Sequence, residues 1–465
     1  MASMTKGPSL KTILEPAQNI DVIRECDVVV VGGGPGGHAA AVAAARSGAD
    51  TVLVERYGIL GGQATGGVVT IIPNLSGRDG KQEIIGQTQE WISRMDKREA
   101  TAYAPKELWG NMDKALVKEW FDRSFFNTRL DRIIYSALFD AEILKCVLND
   151  MVEEAGVKVY LHAWGTKAIM DGNRARGIIM ESKSGRQAIL AKVVIDGTAD
   201  GDLFPSAGIS YDTDIDPTIR IANLSLCYWV ANVDIKKNME FRKNNPEKFG
   251  ELLRTLMQKG GHPGYMKTCL KDQDNLVWVH PRYACKSQID VEELTRVEFE
   301  GRKKMLLSHD YFKENIPGFE NSYITLSAPQ LGTRGSRRAH AEYMLREEDA
   351  QADRVFSDTI AVFPDVDRGQ DSMNHPSLHV PYRCLIPKGV ENMLVSCRAF
   401  GSDQLIQNFF NLIPHCIAFG DAAGIAAALA VKEADGKVRD INIDELKTRL
   451  VKANVLLPEE SKINA

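Results

Sequence analysis

Residues 26–55 read CDVVVVGGGPGGHAAAVAAARSGADTVLVE. The run up to Val31 is apolar and mostly β-branched, which is typical of a strand buried on both faces. A glycine-rich turn follows, and then residues 38–47, whose small side chains predict a helix that ends at Gly48. Residues 51–54 predict a second strand. The order of strand, glycine turn, helix and strand predicts a Rossmann-type βαβ unit within an α/β fold.

The glycine turn has the spacing G-x-G-x-x-G at Gly32, Gly34 and Gly37. Gly32 permits a tight turn, Gly34 lets the backbone approach a pyrophosphate, and Gly37 allows the helix and strand to pack closely. The N–H groups and the positive dipole end of the helix then face the phosphates. Glu55 ends the second strand, where a carboxylate accepts hydrogen bonds from ribose hydroxyls and disfavours a 2′-phosphate. These residues predict binding of a dinucleotide other than NADP.

The loop after Glu55 reads RYGILGGQATGG over residues 56–67 and is too rich in glycine for regular structure. One interpretation is a flexible connection. The other is a backbone cradle for the ribityl and flavin portion of an extended cofactor. On the second interpretation, the candidate cofactor contacts in this loop are Arg56, Gly62, Gln63 and Thr65.

A return to the nucleotide site near the C-terminal end of the chain favours FAD over NAD, because FAD stretches across its domain. Residues 390–403, VENMLVSCRAFGSD, predict a strand and a polar turn, and residues 417–424, IAFGDAAG, predict the opening of a helix over 425–430. We expect Asp403 and Asp421 to bond the ribityl hydroxyls, with Asp421 also capping the helix. The N–H groups of Ala423 and Gly424 are expected to face the flavin.

A third segment, VVIDGTADGD over residues 193–202, also predicts a buried strand that ends in a turn of small and polar residues. We expect it beside the diphosphate region of the cofactor. Together these segments resemble the FAD-dependent oxidoreductase family of the glutathione-reductase-type superfamily, a family loosely labelled xanthan-lyase-associated. The resemblance also rests on LGTRGSRRAHAEYML and HVPYRCLIPKGVENMLVSCRAFGSD, and one departure is His38, where such helices usually carry an aliphatic residue. It implies FAD contacts at Gly32, Gly34, Gly37, Glu55, Gly62, Asp196, Asp403 and Asp421.

The resemblance implies a glutathione-reductase-like, Rossmann-type FAD-binding domain with an inserted α+β substrate or cap domain. Strands are predicted over 224–230 and 276–280, and helices over 291–308 and after Arg338. The predicted units are 22–75, 131–215 and 380–435 for FAD binding, 76–130 as an insert near the flavin, 216–379 as the cap, and 436–465 as a C-terminal helix and tail.

Composition and charge narrow the class of protein. The net charge of −5 is unlike the basic surface of a nucleic-acid binder. No apolar run approaches the roughly 20 residues of a membrane span. The eight cysteines show neither C-x-x-C nor metal-finger spacing, so we expect buried thiols in a reducing, cytoplasmic compartment, no metal and no redox disulfide.

Candidate substrate residues lie toward the end of the predicted cap and in the C-terminal return that follows it. Arg334, in GTRGSRR, either forms helix caps and ion pairs or binds an anionic or carbonyl group of the substrate, because guanidinium binds carboxylates bidentately. Hydride transfer also needs a base, for which His375, His379 and His415 are candidates, although an isolated histidine is more often structural. Arg383 is a further candidate for binding an anion.

These residues predict a flavin enzyme that oxidises a small hydroxy- or amino-compound by hydride transfer to flavin N5, with oxygen or another acceptor taking the electrons. A flavin monooxygenase with an external reductant, and a non-catalytic flavin-binding protein, are the alternatives. The sequence contains only one complete G-x-G-x-x-G unit, which speaks against a second site for NAD(P)H. It leaves open the substrate, the electron acceptor and whether the chain forms a homo-oligomer.

Overall fold

A computed structural model describes residues 12–129, 131–268, 270, 273–364 and 377–458 of the chain. Its helices are α1 Pro35–Arg46, α2 Gly86–Asp96, α3 Lys114–Arg123, α4 Ala141–Ala155, α5 Phe204–Ala207, α6 Ile235–Asn244, α7 Pro246–Gln258, α8 Val291–Asn315, α9 Glu347–Gln351, α10 Gln404–Phe409, α11 Ile413–Glu433 and α12 Ile443–Lys452. Its strands are β1 Asp21–Val31, β2 Thr51–Val54, β3 Ile71–Ile72, β4 Thr101–Ala102, β5 Thr128–Arg129, β6 Arg132–Ile133, β7 Ala137–Phe139, β8 Lys158–Tyr160, β9 Trp164–Asp171, β10 Arg174–Ser182, β11 Gly185–Asp196, β12 Tyr211–Asp212, β13 Asn223–Leu224, β14 Tyr228–Ala231, β15 Met266–Lys267, β16 Val277–Val279, β17 Tyr283–Ala284, β18 Tyr323–Ser327, β19 Arg338–Ala339, β20 Thr359–Pro364, β21 Ser377–Pro381 and β22 Met393–Val395.

The main sheet is built around β1, whose residues Val28–Val31 are buried. Strands β8, β2, β1, β11 and β22 lie side by side in that order and are parallel. On its other side, the first part of β11 pairs with the antiparallel strand β10, which in turn pairs with β9. The carboxyl ends of β1, β2, β11 and β22 therefore meet at one edge of the sheet, which is where open α/β sheets bind ligands. The α/β fold with a parallel sheet and a Rossmann-type βαβ unit is confirmed.

Helices α1 and α11 pack closely on this sheet because both are built from small residues. A Cβ added at Gly420 would lie 2.3 Å from the carbonyl oxygen of Gly36, and one at Gly424 would lie 2.3 Å from that of Ala40. Any larger residue at these two positions would force the helices apart. The glycines of α11 thus serve helix packing.

Residues 223–327 form a second, antiparallel sheet with strand order β15-β16-β14-β18. It has an apolar cluster of its own, in which Tyr228 and Val277 pack against Phe312 of α8 and against Phe319. The strands predicted over 224–230 and 276–280 are found as β13, β14 and β16, and the predicted helix 291–308 is found as the longer α8. The strands of this second sheet pair with one another and not with strands of the parallel sheet.

The helix predicted after Arg338 is wrong. Arg338 and Ala339 form β19, which pairs with β12, and the buried Arg338 side chain donates to Asp214 at 2.7 Å. The extended backbone of β19 lets this guanidinium reach a carboxylate beside β12. The charged residues around Arg338 suit the surface of a helix equally well, so the sequence did not predict the strand.

Among the described helices, α11 alone is long and apolar enough to cross a membrane by length and composition, so the expectation that no apolar run approaches that length is wrong. All of that apolar stretch is buried inside the fold. Its apolar character is accounted for by its contacts with α1 and the main sheet.

Candidate functional site

A cleft, here called the nucleotide cleft, runs along the carboxyl edge of the main sheet. The turns that form its floor are tied together by backbone bonds: Gly32 N–H donates to Val54 at 2.8 Å, Gly197 N–H to Val31 at 2.8 Å, and Ser396 N–H to Asp196 at 2.9 Å. The cleft is lined by Gly32, Gly34, Pro35, Gly36, Glu55, Arg56, Gly62, Gln63, Trp164, Thr198, Asp202, Gln330, Cys397, Arg398, Asn411 and Ile413, among others.

The glycines of the first turn have different reasons to be glycine. Gly32 has a φ of 93°, and a Cβ at Gly37 would lie 1.8 Å from the Gly32 carbonyl oxygen, so the fold requires both. Gly34 has a φ of −66°, which any residue adopts, and a Cβ there would meet only the Gly62 Cα, at 4.0 Å. Since the protein itself does not demand glycine at position 34, the close approach of a ligand to the cleft would explain it.

Glu55 is buried and holds two backbone segments beside the cleft, one in the glycine turn and one after β2. Its Oε2 accepts from the Gly33 N–H at 2.6 Å, and its Oε1 accepts from the Tyr57 N–H at 2.9 Å. Burial raises the pKa of this carboxyl, although the two backbone bonds lower it. Each oxygen retains lone-pair capacity for a ribose hydroxyl, because an ionised carboxylate offers about four acceptor sites.

The glycine-rich loop lines the cleft beside the first turn. Gly62 packs so closely on Gly34 that an added Cβ would lie 2.9 Å from the Gly34 Cα. Gln63 donates from Nε2 to the Leu331 carbonyl at 2.9 Å, while its buried Oε1 accepts no bond within the described protein. The buried Gln330 Oε1, in the same lining, is likewise without a donor there. Both oxygens are enclosed beside the loop glycines Gly66 and Gly67, where a built Cβ would lie within 3 Å of them.

Of the other predicted contacts, Asp196 and Thr65 support the cleft without lining it, whereas Arg56 lines it. Asp196 is fully buried and accepts from Thr198 and Leu203, so it holds the second turn in place. The Thr65 hydroxyl bonds the Leu60 carbonyl. Arg56 lines the cleft, and its guanidinium lies 5.5 Å from the centre of the Trp164 ring.

A second cavity, here called the chamber, adjoins the nucleotide cleft. Its volume of about 710 Å³ lies within the roughly 300–1,000 Å³ of small-molecule sites. The residues that line both the cleft and the chamber are Gln63, Arg398, Asn411 and Ile413. A ligand in the cleft therefore reaches the boundary of the chamber.

A buried ion pair fixes this boundary. Arg398 donates to Asp200 at 2.6 Å and to the Thr333 hydroxyl at 2.5 Å, and Ser336 donates to the same Asp200 oxygen at 2.5 Å. The carboxylate of Asp200 raises the pKa of Arg398 against the effect of burial. The network joins the turn after β11 to the segment before β19.

Arg334 lines the chamber and contacts a neutral histidine. Its Nη2 donates to His280 Nε2 at 2.5 Å, and its backbone N–H donates to Gln288 at 2.7 Å. Burial lowers the pKa of Arg334, and the nearby cations Arg220 and Arg282 lower it further. Burial and the same arginines hold the pKa of His280 well below its usual value. The prediction that Arg334 faces a substrate site is compatible with this position and remains a prediction.

The predicted helix opening at residues 417–424 is wrong. Helix α11 begins at Ile413, so the N–H groups of Ala423 and Gly424 lie in its interior and belong to its own backbone ladder. Asp421 points to α2, where its Oδ1 accepts from Gln87 Nε2 at 2.6 Å. It is instead the first residue of α11, Ile413, and Asn411 just before the helix that line the cleft and the chamber.

Asp403 and Arg383 also lie away from the lining of the cleft and chamber. Asp403 caps α10 by accepting from Ile406 at 2.7 Å and also accepts from the Glu347 N–H at 2.9 Å. Arg383 forms an ion pair with Asp358 at 2.9 Å. Both side chains are thus bonded within the protein, where they stabilise local turns.

The histidines proposed as bases are not in the lining of the chamber as described. His379 lies on β21 and lines a small separate cavity with Asp349 and Arg354. His415 is fully buried in the first turn of α11 against Phe363, and burial lowers its pKa to about 3. His375 lies outside the described residues. His38, which departs from the family pattern, is buried inside the fold, where its Nε2 lies 3.1 Å from the Leu148 carbonyl oxygen.

Sequence reasoning missed most of the chamber's polar residues. They come from segments that are far apart in the chain and that no common motif links. The one available signal was HPR at residues 280–282, at the end of a predicted strand, whose basic residues resemble those of GTRGS. Asp202 lines the cleft but was not among the predicted cofactor contacts, and burial together with the neighbouring Asp200 raises its pKa to about 6. The missed chamber residues are Arg129, Arg220, Ser225, His262, His280, Arg282, Thr333, Arg398 and Asn411.

A sequence model of the family described as FAD dependent oxidoreductase matches residues 27–450. The chain belongs to this family. FAD is accordingly its cofactor, and the open space at Gly34 and the Glu55 carboxylate beside the cleft fit it. The resemblance inferred from the sequence is confirmed.

Two curated relatives are reductases. Digeranylgeranylglycerophospholipid reductase of Methanocella arvoryzae is 27% identical over 216 residues, which cover 46% of this chain and 48% of that protein. Digeranylgeranylglycerophospholipid reductase 2 of Methanopyrus kandleri is 27% identical over 218 residues, which cover 46% and 47%. The chain thus spans about half the length of the curated relatives it matches. A solved geranylgeranyl bacteriochlorophyll reductase-like protein from Thermoplasma acidophilum is 14% identical, covers 92% of this chain and 84% of its own, and has a TM-score of 0.48.

We expect Glu55→Ala to weaken FAD binding by about 1–2 kcal/mol, because hydrogen bonds to a charged acceptor are lost. Equilibrium titration of the apoprotein with FAD, followed by flavin fluorescence, measures the effect. Glu107→Ala, at an exposed position far from the cleft lining, is the matched control. An unchanged affinity in Glu55→Ala would remove this residue from the site.

Proposed function

We propose that the chain oxidises a small polar compound bearing a hydroxyl or amino group, and that oxygen or another acceptor takes up the electrons. The oxidation removes a hydride, which FAD accepts when bound, and a proton, which a side chain accepts. The observation that carries the proposal is the chamber, which meets the nucleotide cleft at Gln63, Arg398, Asn411 and Ile413. In this proposal, the predicted unit 216–379, which contains the antiparallel sheet, acts as the cap.

The chamber offers two histidines as proton acceptors. His262 lines the chamber, and burial together with Arg282 lowers its pKa to about 4. His280 is also neutral, but its Nε2 already accepts from Arg334. A neutral imidazole with a free ring nitrogen accepts a proton from a hydroxyl or amine, so we propose His262 as the base in place of His379 and His415.

Anaerobic mixing of the FAD-bound protein with a panel of hydroxy- and amino-compounds tests the proposal. A substrate is expected to bleach the flavin absorbance band within single turnovers, and the oxidised product should appear in equal amount. If dithionite bleaches the band while no compound of either class does, the proposed oxidation is wrong.

NADH and NADPH are expected to be poor reductants. The chain has one complete G-x-G-x-x-G unit, and a hydride passes efficiently only from a ring held about 3–3.5 Å from its acceptor. Stopped-flow absorbance at millimolar NADH or NADPH, without substrate, measures the rate of flavin reduction. Reduction faster than about 1 s⁻¹, the low end of typical turnover, would favour the monooxygenase instead.

A second candidate is reduction, for which the support is the 27% identity to the digeranylgeranylglycerophospholipid reductases over about half of each chain. In that case electrons would pass from the flavin to an unsaturated compound. The two candidates differ in direction. Dithionite-reduced protein mixed anaerobically with a geranylgeranyl lipid would regain its flavin absorbance only if the chain is a reductase of such lipids.

A further inference from the structure

We infer that the chamber binds an organic anion, a compound in which a carboxylate or phosphate group is joined to an apolar body. The inference rests on the proposed function, because it names the class of compound that would occupy the chamber. It depends on two parts of the lining. The basic cluster consists of Arg220, Arg282, Arg334, His262 and His280, and the apolar wall consists of Val69, Ile71, Phe125, Phe126 and Met266.

The charges of the chamber are of one sign. Its lining contains five arginines and, among the described residues, no aspartate or glutamate. Arg398 is compensated by Asp200 at 2.6 Å. Arg282 and Arg334 form no ion pair with any described residue, and the neighbouring cations lower the pKa of the buried Arg334 further. Two guanidinium groups without an anion among the described residues favour a ligand that brings negative charge.

Arg334 is positioned to receive that charge. Its backbone N–H is held by Gln288 at 2.7 Å and its Nη2 by His280 at 2.5 Å, so the side chain is oriented before any ligand arrives. Among the described residues its Nη1 has no hydrogen-bond partner, and Nε, which also has none, is enclosed by protein. A guanidinium carries five donors in a planar fork that matches the oxygens of a carboxylate or phosphate. The donors of Arg334 that the protein leaves unused suit such a group.

The apolar wall is continuous with the basic cluster. The ring of Phe125 lies 4.2 Å from that of Phe126, which lies 6.1 Å from the ring of Trp278, which in turn lies 4.8 Å from His280. A chain of ring contacts therefore leads from the wall to the histidine that contacts Arg334. An anion bound by Arg334 would have aromatic surface beside it for an attached apolar body.

Isothermal titration of the oxidised, FAD-bound protein tests the inference without requiring turnover. The probes are phenylacetate, phenyl phosphate and phenylacetamide, where the amide is the neutral counterpart of phenylacetate. We expect at least one of the two anions to bind, with an affinity that falls as salt is raised, and we expect the amide to bind at least 10 times more weakly. The tighter of the two anions identifies the group as a carboxylate or a phosphate.

Two variants locate the binding. Arg334→Gln is expected to weaken the anion about 10- to 100-fold, since a charge-assisted hydrogen bond is lost. Arg282→Gln, at an exposed position, is expected to weaken it about 3- to 10-fold. Arg302→Gln, on the exposed side of α8 and paired with Glu298, is the matched control and should bind as the wild type does.

The inference is overturned by any of three results. Phenylacetamide binds as tightly as phenylacetate; neither anion binds at about 10 mM, ten times the upper end of typical KM values; or both variants bind the anions as the wild type does. Failure of the proposed oxidation has a different signature. In that case the anions would bind and respond to Arg334→Gln, while no hydroxy- or amino-compound would bleach the flavin.

Discussion

Gly34→Val is expected to weaken FAD binding at least 100-fold, which corresponds to roughly 3 kcal/mol. The backbone at Gly34 has a φ of −66°, and a Cβ built there meets only the Gly62 Cα, at 4.0 Å. The added side chain therefore enters the nucleotide cleft instead of the protein interior, at the place where the backbone would approach the pyrophosphate. Titration of the apoprotein with FAD measures the loss.

The stability of the apoprotein distinguishes this effect from damage to the fold. Gly34 is the N-cap residue of α1, so replacing it with valine is expected to cost only about 1 kcal/mol of folding free energy. Gly36→Ala provides the contrast, because its Cβ would lie 1.7 Å from the Ser396 carbonyl oxygen and should unfold the domain. Gly250→Ala, in α7, is the control for adding a methyl group outside the cleft. If Gly34→Val binds FAD as the wild type does, the cofactor does not approach this turn.

Asp421→Asn is expected to gain stability relative to the wild type as the pH rises. Burial of Asp421 in α11 raises its pKa from 3.8 to about 7, against hydrogen bonds from Gln87 that lower it. The folded state therefore prefers the protonated carboxyl. Wild-type stability is retained below about pH 4 and is lost as the pH rises toward the folded-state pKa, whereas asparagine does not titrate. Between pH 5 and pH 8 the difference in unfolding free energy should shift by about 2–3 kcal/mol in favour of the variant.

Denaturant unfolding of the two apoproteins at several pH values measures this difference. Asp150→Asn, at an exposed position of α4, provides the baseline for removal of a carboxylate. Loss of one of the Gln87 bonds lowers the stability of Asp421→Asn by a constant amount and leaves the pH-dependent part unchanged. A difference that is flat between pH 5 and pH 8 would contradict the account of Asp421 as a buried carboxyl of the helix interface.

The βαβ unit was predictable because its chemistry is contiguous in the chain. Strand, turn, helix and second strand follow one another, and Glu55 lies where the second strand ends. The same local reasoning failed for the segment around Gly420 and Gly424. Small residues open helices beside ligands, but they also let two helices pack closely, and here their neighbours are the carbonyl oxygens of α1. A sequence does not show which of these reasons applies.

The chamber was less predictable, since its lining is assembled across the chain. Arg220, His262, His280 and Arg334 come from four segments that no motif links, and only Arg334 was singled out from its sequence. Proximity in sequence to the C-terminal return was a poor guide to proximity in space. Arg383 belongs to that region of the chain, yet it pairs with Asp358.

The crystal structure of the FAD complex is the most direct test of where the cofactor and the substrate chamber lie. The account predicts the adenosine ribose within hydrogen-bonding distance of Glu55, the pyrophosphate against Gly34, and the flavin ring at the boundary marked by Gln63 and Arg398, with the chamber open above it. Density for FAD that leaves Gly34 and Glu55 without contact, or a flavin ring separated from the chamber by protein, would contradict it.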